Sequence, residues 1–263
     1  MNLRQMEKTP KIGFELAGIP IQFDVTVMFT TIVTCALVLI LAIAAARRRS
    51  LVPKGLQNAV EMLIEFTQGI VRSNLEGKTA ERFYGFAFTL FLFIFIANQL
   101  GLMFNVVAEY HDPIPSLHIE AVHEEGHEAG GGEEHNAYAW WKSPTADINV
   151  TISMALAITL VAHFLGIRKS AKHYVSHYFQ PYWWMFPIHL VDEVAKPVTH
   201  GMRLWANIFA GEILIMVLLR GSWYLTGAPL IVWLAYSVLV GLIQAYVFTV
   251  LAMVYMAQKI AYD

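Results

Sequence analysis

Charged side chains are scarce in this chain. Lys, Arg, Asp and Glu make up 14% of its 263 residues, against about 25% in an ordinary soluble domain. Apolar residues make up 57%, so there is too little polar surface to clothe a water-exposed globule, and a membrane class is indicated. Nor does one sign of charge dominate. Eighteen Lys and Arg against 20 Asp and Glu give a net charge of −2, which excludes the basic surface that nucleic acid requires. Cysteine is nearly absent. Cys35 stands alone, excluding an internal disulfide framework and any multi-cysteine metal site; inside an apolar run it reads as one more small apolar residue. The opening stretch "MNLRQMEKTPKIGFELAGIPIQFD" lacks the pattern of a secretory signal or transit peptide. It is expected to stay on the protein as a segment, residues 1–24, outside the membrane.

What is present is a series of long uncharged runs. A membrane helix needs about 20 mainly apolar residues to cross about 30 Å of hydrocarbon. Val25–Ala46, Phe83–Ala108 and Ile148–Ile167 meet that requirement, Tyr178–Leu219 meets it with charged interruptions, and Gly221–Gln258 holds no charged residue. The expected fold is an all-α polytopic membrane protein in which residues 25–263 form a single membrane domain. Its five crossings are placed near 25–46, 83–108, 148–167, 180–219 and 228–259. A helix over Pro229–Gln258 extends about 45 Å, longer than the bilayer core, so it must tilt strongly. The stretch "LQNAVEMLIEFTQGIVRSN" mixes Glu61, Glu65 and Arg72 with apolar residues at helical spacing. It reads as an amphipathic helix near 55–75 lying in the membrane interface, with a helix packed on the soluble side as the alternative.

The connecting segments differ in charge. Residues 47–82 carry Arg47, Arg48, Arg49, Lys54, Arg72, Lys78 and Arg82, residues 168–177 carry Arg168, Lys169 and Lys172, and residues 107–141 carry no Lys or Arg. By the positive-inside rule the first two face the cytoplasm and the third lies outside. Five crossings then put the N-terminus outside and the C-terminus in the cytoplasm of a multi-pass protein of the bacterial cell membrane. The outside segment near 109–142 has eight acidic residues, five histidines and a "GGG" run, a composition of a solvated loop rather than a core. A metal site from His111, His118, His123, His127 and His135 is the alternative; His123 and His127 sit four apart, with two Glu and a Gly between them, but no metal or cofactor is assigned.

The fourth run carries the unusual chemistry. Asp192, Glu193, Lys196, Arg203 and Glu212 sit in or beside hydrocarbon-length helix. Ionisable groups there are costly, face a protein interior or a water-filled path, and mark function by default. The Arg203 guanidinium stays charged at any relevant pH, whereas Glu212 can take up a proton. At about 100° per residue, Asn207 falls about 40° from Arg203, and Glu212 falls on the opposite face about 13 Å along the axis. Asp192 projects near the Arg203 face towards the cytoplasmic end, and Pro197 lies between. An Arg203–Glu212 ion pair is therefore disfavoured. The arrangement suits a proton path divided into two by a permanent cation. The alternative is a buried arginine held by neighbouring helices for structural reasons alone.

Four stretches then carry a family resemblance. "KPVTHGMRLWANIFAGEI", Lys196–Ile213, closely resembles the central motif of subunit a of the bacterial F-type rotary ATP synthases. "SPTADINVTISMALA", Ser143–Ala157, "IQAYVFTVLAMVYMA", Ile243–Ala257, and "IANQLGL", Ile96–Leu102, agree in the same order. The resemblance implies a non-catalytic, ion-translocating stator subunit without cofactors, set beside a ring of c subunits and joined to the b-subunit peripheral stalk. It implies two offset half-channels and two strongly tilted last helices. Carried over by position, Arg203 is the essential arginine, Asn207 and Gln244 are polar neighbours, Glu212 belongs to the outside half-channel, and Asp192 and Glu193 belong to the cytoplasmic exit.

The chain departs from many relatives at Ser237, seven residues before Gln244, where they place a histidine that partners the glutamate. His163, His200 or ordered water are the candidate substitutes, and His189 is read as structural or interfacial. Lys196, near the Arg203 face, either tunes proton release or is an ordinary structural lysine. Two other classes, a secondary ion transporter and a membrane-anchored metal-binding protein, do not account for the ordered motifs, and no internal repeat of the kind transporters show is present.

Overall fold

The computed structural model describes residues 9–16, 19–47, 55–104, 107–109, 137–177, 179, 182–219 and 221–260. Six helices occupy most of them: α1 Val25–Arg47, α2 Leu56–Arg72, α3 Gly77–Met103, α4 Ile148–His177, α5 Phe186–Leu219 and α6 Trp223–Ile260. All but α2 are long and apolar enough to cross a membrane, so the five spans expected from the uncharged runs are present. The His-rich stretch, within residues 110–136, falls outside the described residues.

Two short antiparallel hairpins join the helices, which the all-helical expectation did not include. Strand β1, Lys11–Leu16, pairs with β2, Ile19–Asp24, in the register Lys11↔Asp24 to Leu16↔Ile19. Strand β3, Val107–Glu109, pairs with β4, Ala137–Ala139. The apolar run through Ala108 accordingly does not continue as helix: α3 stops at Met103, and the chain extends into β3. At its other end α3 begins at Gly77, ahead of the apolar run, so the helix is displaced by about one and a half turns from the hydropathy pattern.

Local chemistry sets where the helices begin. Asp24 ends β2 and caps α1: its Oδ1 accepts the Val27 N–H at 3.1 Å, and its Oδ2 accepts from the Thr9 hydroxyl. Asp147 does the same for α4, accepting the Asn149 N–H at 2.7 Å after a 3-10 turn over Pro144–Ala146. Trp141 donates its indole N–H to the Leu100 carbonyl at 3.0 Å, in the last turn of α3, where the same oxygen also accepts the Phe104 N–H. Helix α4 loses helical geometry at Ser170, where φ is −161° and ψ is 92°, just past its apolar stretch.

The core lies among α2, α3, α4, α5 and α6, around Val71, Phe91, Ile94, Ile158, Leu204, Phe248 and Met253. Alanines 87, 97, 245 and 252 are fully buried. Such small residues let membrane helices approach where burial in lipid gives no hydrophobic drive and packing must hold the bundle. Helix α2 lays Val60, Thr67, Ile70 and Val71 inward, and its Phe66 packs edge-on against Phe91 of α3 at 5.6 Å.

Candidate functional site

Helix α5 carries its polar side chains to three different surroundings. Arg203 and Asn207, one turn apart, lie on its exposed side, while Leu204 is buried in the core. On the far side Gly201 lets α5 approach the backbone of α4: a Cβ there would stand 2.9 Å from Ile152 Cα and 3.0 Å from the Thr151 carbonyl. Arg203 is thus presented outward by a helix seated closely behind.

Towards the hairpin end, Glu212 turns away from Arg203, as the helical angle requires. Its Oε1 accepts the Ser143 backbone N–H at 3.3 Å. The Ser143 hydroxyl donates to the Ala97 carbonyl at 2.9 Å and lies 2.7 Å from that of Thr145. Thr145 in turn donates to Asn98 Oδ1, and Asn98 Nδ2 donates to the Gly241 carbonyl at 3.0 Å. Asn98, Ser143 and Thr145 are all buried. A neutral hydrogen-bonded chain therefore ties α5, the loop before α4, α3 and α6 together around one carboxyl group. Gly101 makes room for it, since a Cβ there would press on Ser143 and stand 2.9 Å from Glu212 Oε1. Beside this network opens a cavity of about 290 Å³, lined by Asn98, Asn207, Glu212, Trp233, Tyr236 and Ser237 among others. The Ser237 hydroxyl is buried and has no hydrogen-bond partner among the described residues.

Towards the opposite end, Glu193 sits in an ionic cluster. Lys259, near the end of α6, donates to Glu193 Oε1, and the two side chains are 6% and 13% exposed. His163 of α4 brings Nε2 to 3.3 Å from Glu193 Oε2, a close polar contact rather than an aligned hydrogen bond. The other ring nitrogen of His163 lies 2.8 Å from the Thr159 carbonyl. Lys196 reaches Asp192 at 2.9 Å and Glu193 at 3.5 Å. Pro197 lacks the N–H that would have bonded the Glu193 carbonyl in an unbroken helix.

The sequence-derived candidates thus separate into groups. Asp192, Glu193, Lys196 and His163 come together at one end; Asn207, Glu212 and Ser237 share a cavity at the other; Arg203 lies between them along α5. Gln244 is buried on α6, one turn beyond Val240 on the cavity wall. Of the substitutes for the missing histidine, His163 contacts Glu193 rather than Glu212, and His200 packs on Phe248 and Tyr255. Three contributors escaped sequence reasoning: Lys259, Asn98 and the Ser143–Thr145 pair. Lys259 is the first charged residue after the uncharged run of α6, and the other three lie within the quoted "IANQLGL" and "SPTAD" stretches. No spacing rule connects them, because the contacts join residues distant in sequence.

Comparison with known proteins agrees with this architecture. Residues 28–257 match the family described as ATP synthase A chain. The ATP synthase subunit a of Staphylococcus aureus strains JH9, Newman and USA300 is in each case 38% identical over 263 residues, covering 97% of this chain and 98% of the relative. Five membrane-length helices, a charged fifth helix with two unlike acidic sites, and a match across nearly the whole chain lead to one conclusion: this protein belongs to the ATP synthase A chain family.

Proposed function

We propose that the chain is the proton-translocating stator subunit in the membrane sector of an F-type ATP synthase, with Arg203 dividing two offset half-channels. Family membership supports the coarse assignment to ATP synthesis, proton transport and a multi-pass membrane location. The finer reading rests on one observation. Arg203 stands on the exposed side of α5, between a hydrogen-bonded carboxyl site beside a cavity at Glu212 and an ionic carboxylate cluster at Glu193. At 1.5 Å per residue these acids lie about 13 Å and 15 Å from it along the helix.

In this reading the hairpin end faces outside and the α2 end faces the cytoplasm, following the placement of Lys and Arg. Helix α2 lies in the interface, and α5 and α6, longer than the hydrocarbon is thick, tilt across it. The partner is a ring of carboxyl-bearing c subunits, with the b-subunit peripheral stalk holding the stator. A ring carboxyl group crossing lipid must be neutral, since a bare charge there is costly. On reaching Arg203 it ionises, releasing its proton towards Asp192, Glu193, Lys196 and His163; past Arg203 it is reloaded from the Glu212 side through the cavity. At about 30 Å³ per water, that cavity accommodates several molecules between Glu212, Ser237, Asn98 and Asn207, so a histidine at 237 is not required for a hydrogen-bonded path. Gln244 is assigned a supporting polar role near Arg203. The fixed cation repels protons and prevents a direct leak from one side to the other.

The test is Arg203→Ala in the assembled complex. Proton-driven ATP synthesis in membrane vesicles is expected to vanish while subunit content stays normal. Coupled synthesis at the parent rate would remove Arg203 from its assigned role.

A further inference from the structure

His200 has a buried ring that none of the contacts above employs. It is 3% exposed, and neither ring nitrogen has a hydrogen-bond partner among the described residues. A neutral imidazole carries one N–H and one lone pair, and burying both unmet is costly. For packing alone, Leu or Phe would fill the same aromatic slot without that cost. The ring lies 3.8 Å from Phe248 and 5.5 Å from Tyr255, centroid to centroid.

Its position gives the nitrogens a use. Lys196, His200, Arg203 and Asn207 recur along α5 at spacings that keep them within about 60° of one another. His200 is within electrostatic range of the Arg203 guanidinium. The half-buried Tyr255 phenol beside it is within range of Arg203, Lys196 and Asp192. Other titratable groups nearby are engaged elsewhere: on α6, Lys259 with Glu193, and on α4, His163 with the same carboxylate. Close to Gly201, the nearest atoms that α4 presents are backbone atoms of Ile152 and Thr151. The imidazole thus stands between the level of the fixed cation and the Asp192–Lys196–Glu193 cluster.

We propose that His200 is a proton-carrying residue of the half-path on the Asp192–Glu193 side of Arg203. This rests on the reading of Arg203 as the divider. The ring accepts a proton, at its bare nitrogen, from a carboxylic acid ionising at Arg203, and gives up the proton held on its other nitrogen along water towards the Asp192 carboxylate, about 12 Å further along the helix. It ends neutral as the opposite tautomer, and a flip of the ring resets it. Only N–H and O–H bonds are made and broken. Coulomb repulsion from the neighbouring guanidinium favours onward transfer over residence.

The test compares His200→Phe, His200→Gln and Arg203→Ala in the intact complex in inverted membrane vesicles, following ATP-driven proton pumping across pH 5 to 9. His200→Phe keeps an aromatic ring on Phe248 and Tyr255, so assembly should persist while pumping falls by roughly a hundredfold or more, the scale of a lost acid–base group, with an altered pH profile. Parent pumping and profile in His200→Phe, alongside lost coupling in Arg203→Ala, would overturn this inference and leave the divider standing. Coupling retained in Arg203→Ala would overturn both. If His200→Phe does not assemble, His200→Gln decides: a lowered rate with a changed profile supports the relay, and an unchanged rate and profile overturns it.

Discussion

The two carboxyl sites of α5 are built in opposite ways. Glu212 accepts a backbone N–H, with a chain of hydroxyl and amide groups behind it, and it borders a cavity. Glu193 meets cations: Lys259 and Lys196 contact Oε1, and the His163 ring faces Oε2. A carboxyl group at the edge of a cavity large enough for water has a partner with which to exchange a proton. A carboxylate that neutralises a nearly buried ammonium cannot be removed so cheaply. Besides its place in the proposed exit path, Glu193 therefore ties the tail of α6 to α5 and α4.

Substitutions can break or sharpen that contrast. After the loss of function expected of Arg203→Ala, the largest effect falls on stability at the ionic end. Glu193→Gln removes the carboxylate to which the 6%-exposed Lys259 donates, at a cost of about 3 kcal/mol. Thermal unfolding of the detergent-solubilised complex should drop accordingly and recover in part in the Glu193→Gln, Lys259→Gln double variant; an unshifted transition would show that the cluster does not tether α6. Next is Gly101→Ala, whose Cβ would crowd Ser143 and Glu212. Overpacking of this kind costs about 1–3 kcal/mol, read in the same melting measurement. Glu212→Gln should do the reverse of Glu193→Gln. An amide oxygen still accepts the Ser143 N–H, so the melting temperature should hold while proton flux slows; equal flux across a wide pH range would take Glu212 off the path. The smallest effect is expected of Ser237→His, whose ring projects beside an existing cavity. Assembly and coupled synthesis should persist, and failure to assemble would show that the cavity wall is closed to a ring.

Much of the membrane architecture was legible because hydrocarbon imposes a simple rule: an uncharged run long enough to cross folds as a helix. Val25–Arg47 and Trp223–Ile260 follow it closely. The rule fails where backbone pairing competes. Val107–Glu109 pairs with Ala137–Ala139, and Lys11–Leu16 with Ile19–Asp24, so the backbone there is satisfied between strands instead of within a helix. Within α5, the angle per residue separates Arg203 from Glu212, and the two side chains do meet different surroundings. What helical angles cannot supply is the neighbour from another helix. Lys259 finds Glu193 across 66 positions and Ser143 finds Glu212 across 69, and such pairings follow from how the bundle packs rather than from any local pattern.

The absent side chain at Gly201 fixes how stiffly the guanidinium is held. Because α5 rests on the peptide planes around Thr151 and Ile152 instead of on long, bendable side chains, a sideways pull on Arg203 passes within one turn into the backbone of α4. Close-packed interiors yield little to such loads. In the proposed assembly a passing rotor would thus meet an anvil rather than a spring in the backbone of α5, and the reaction to each step would be carried by the body of the bundle.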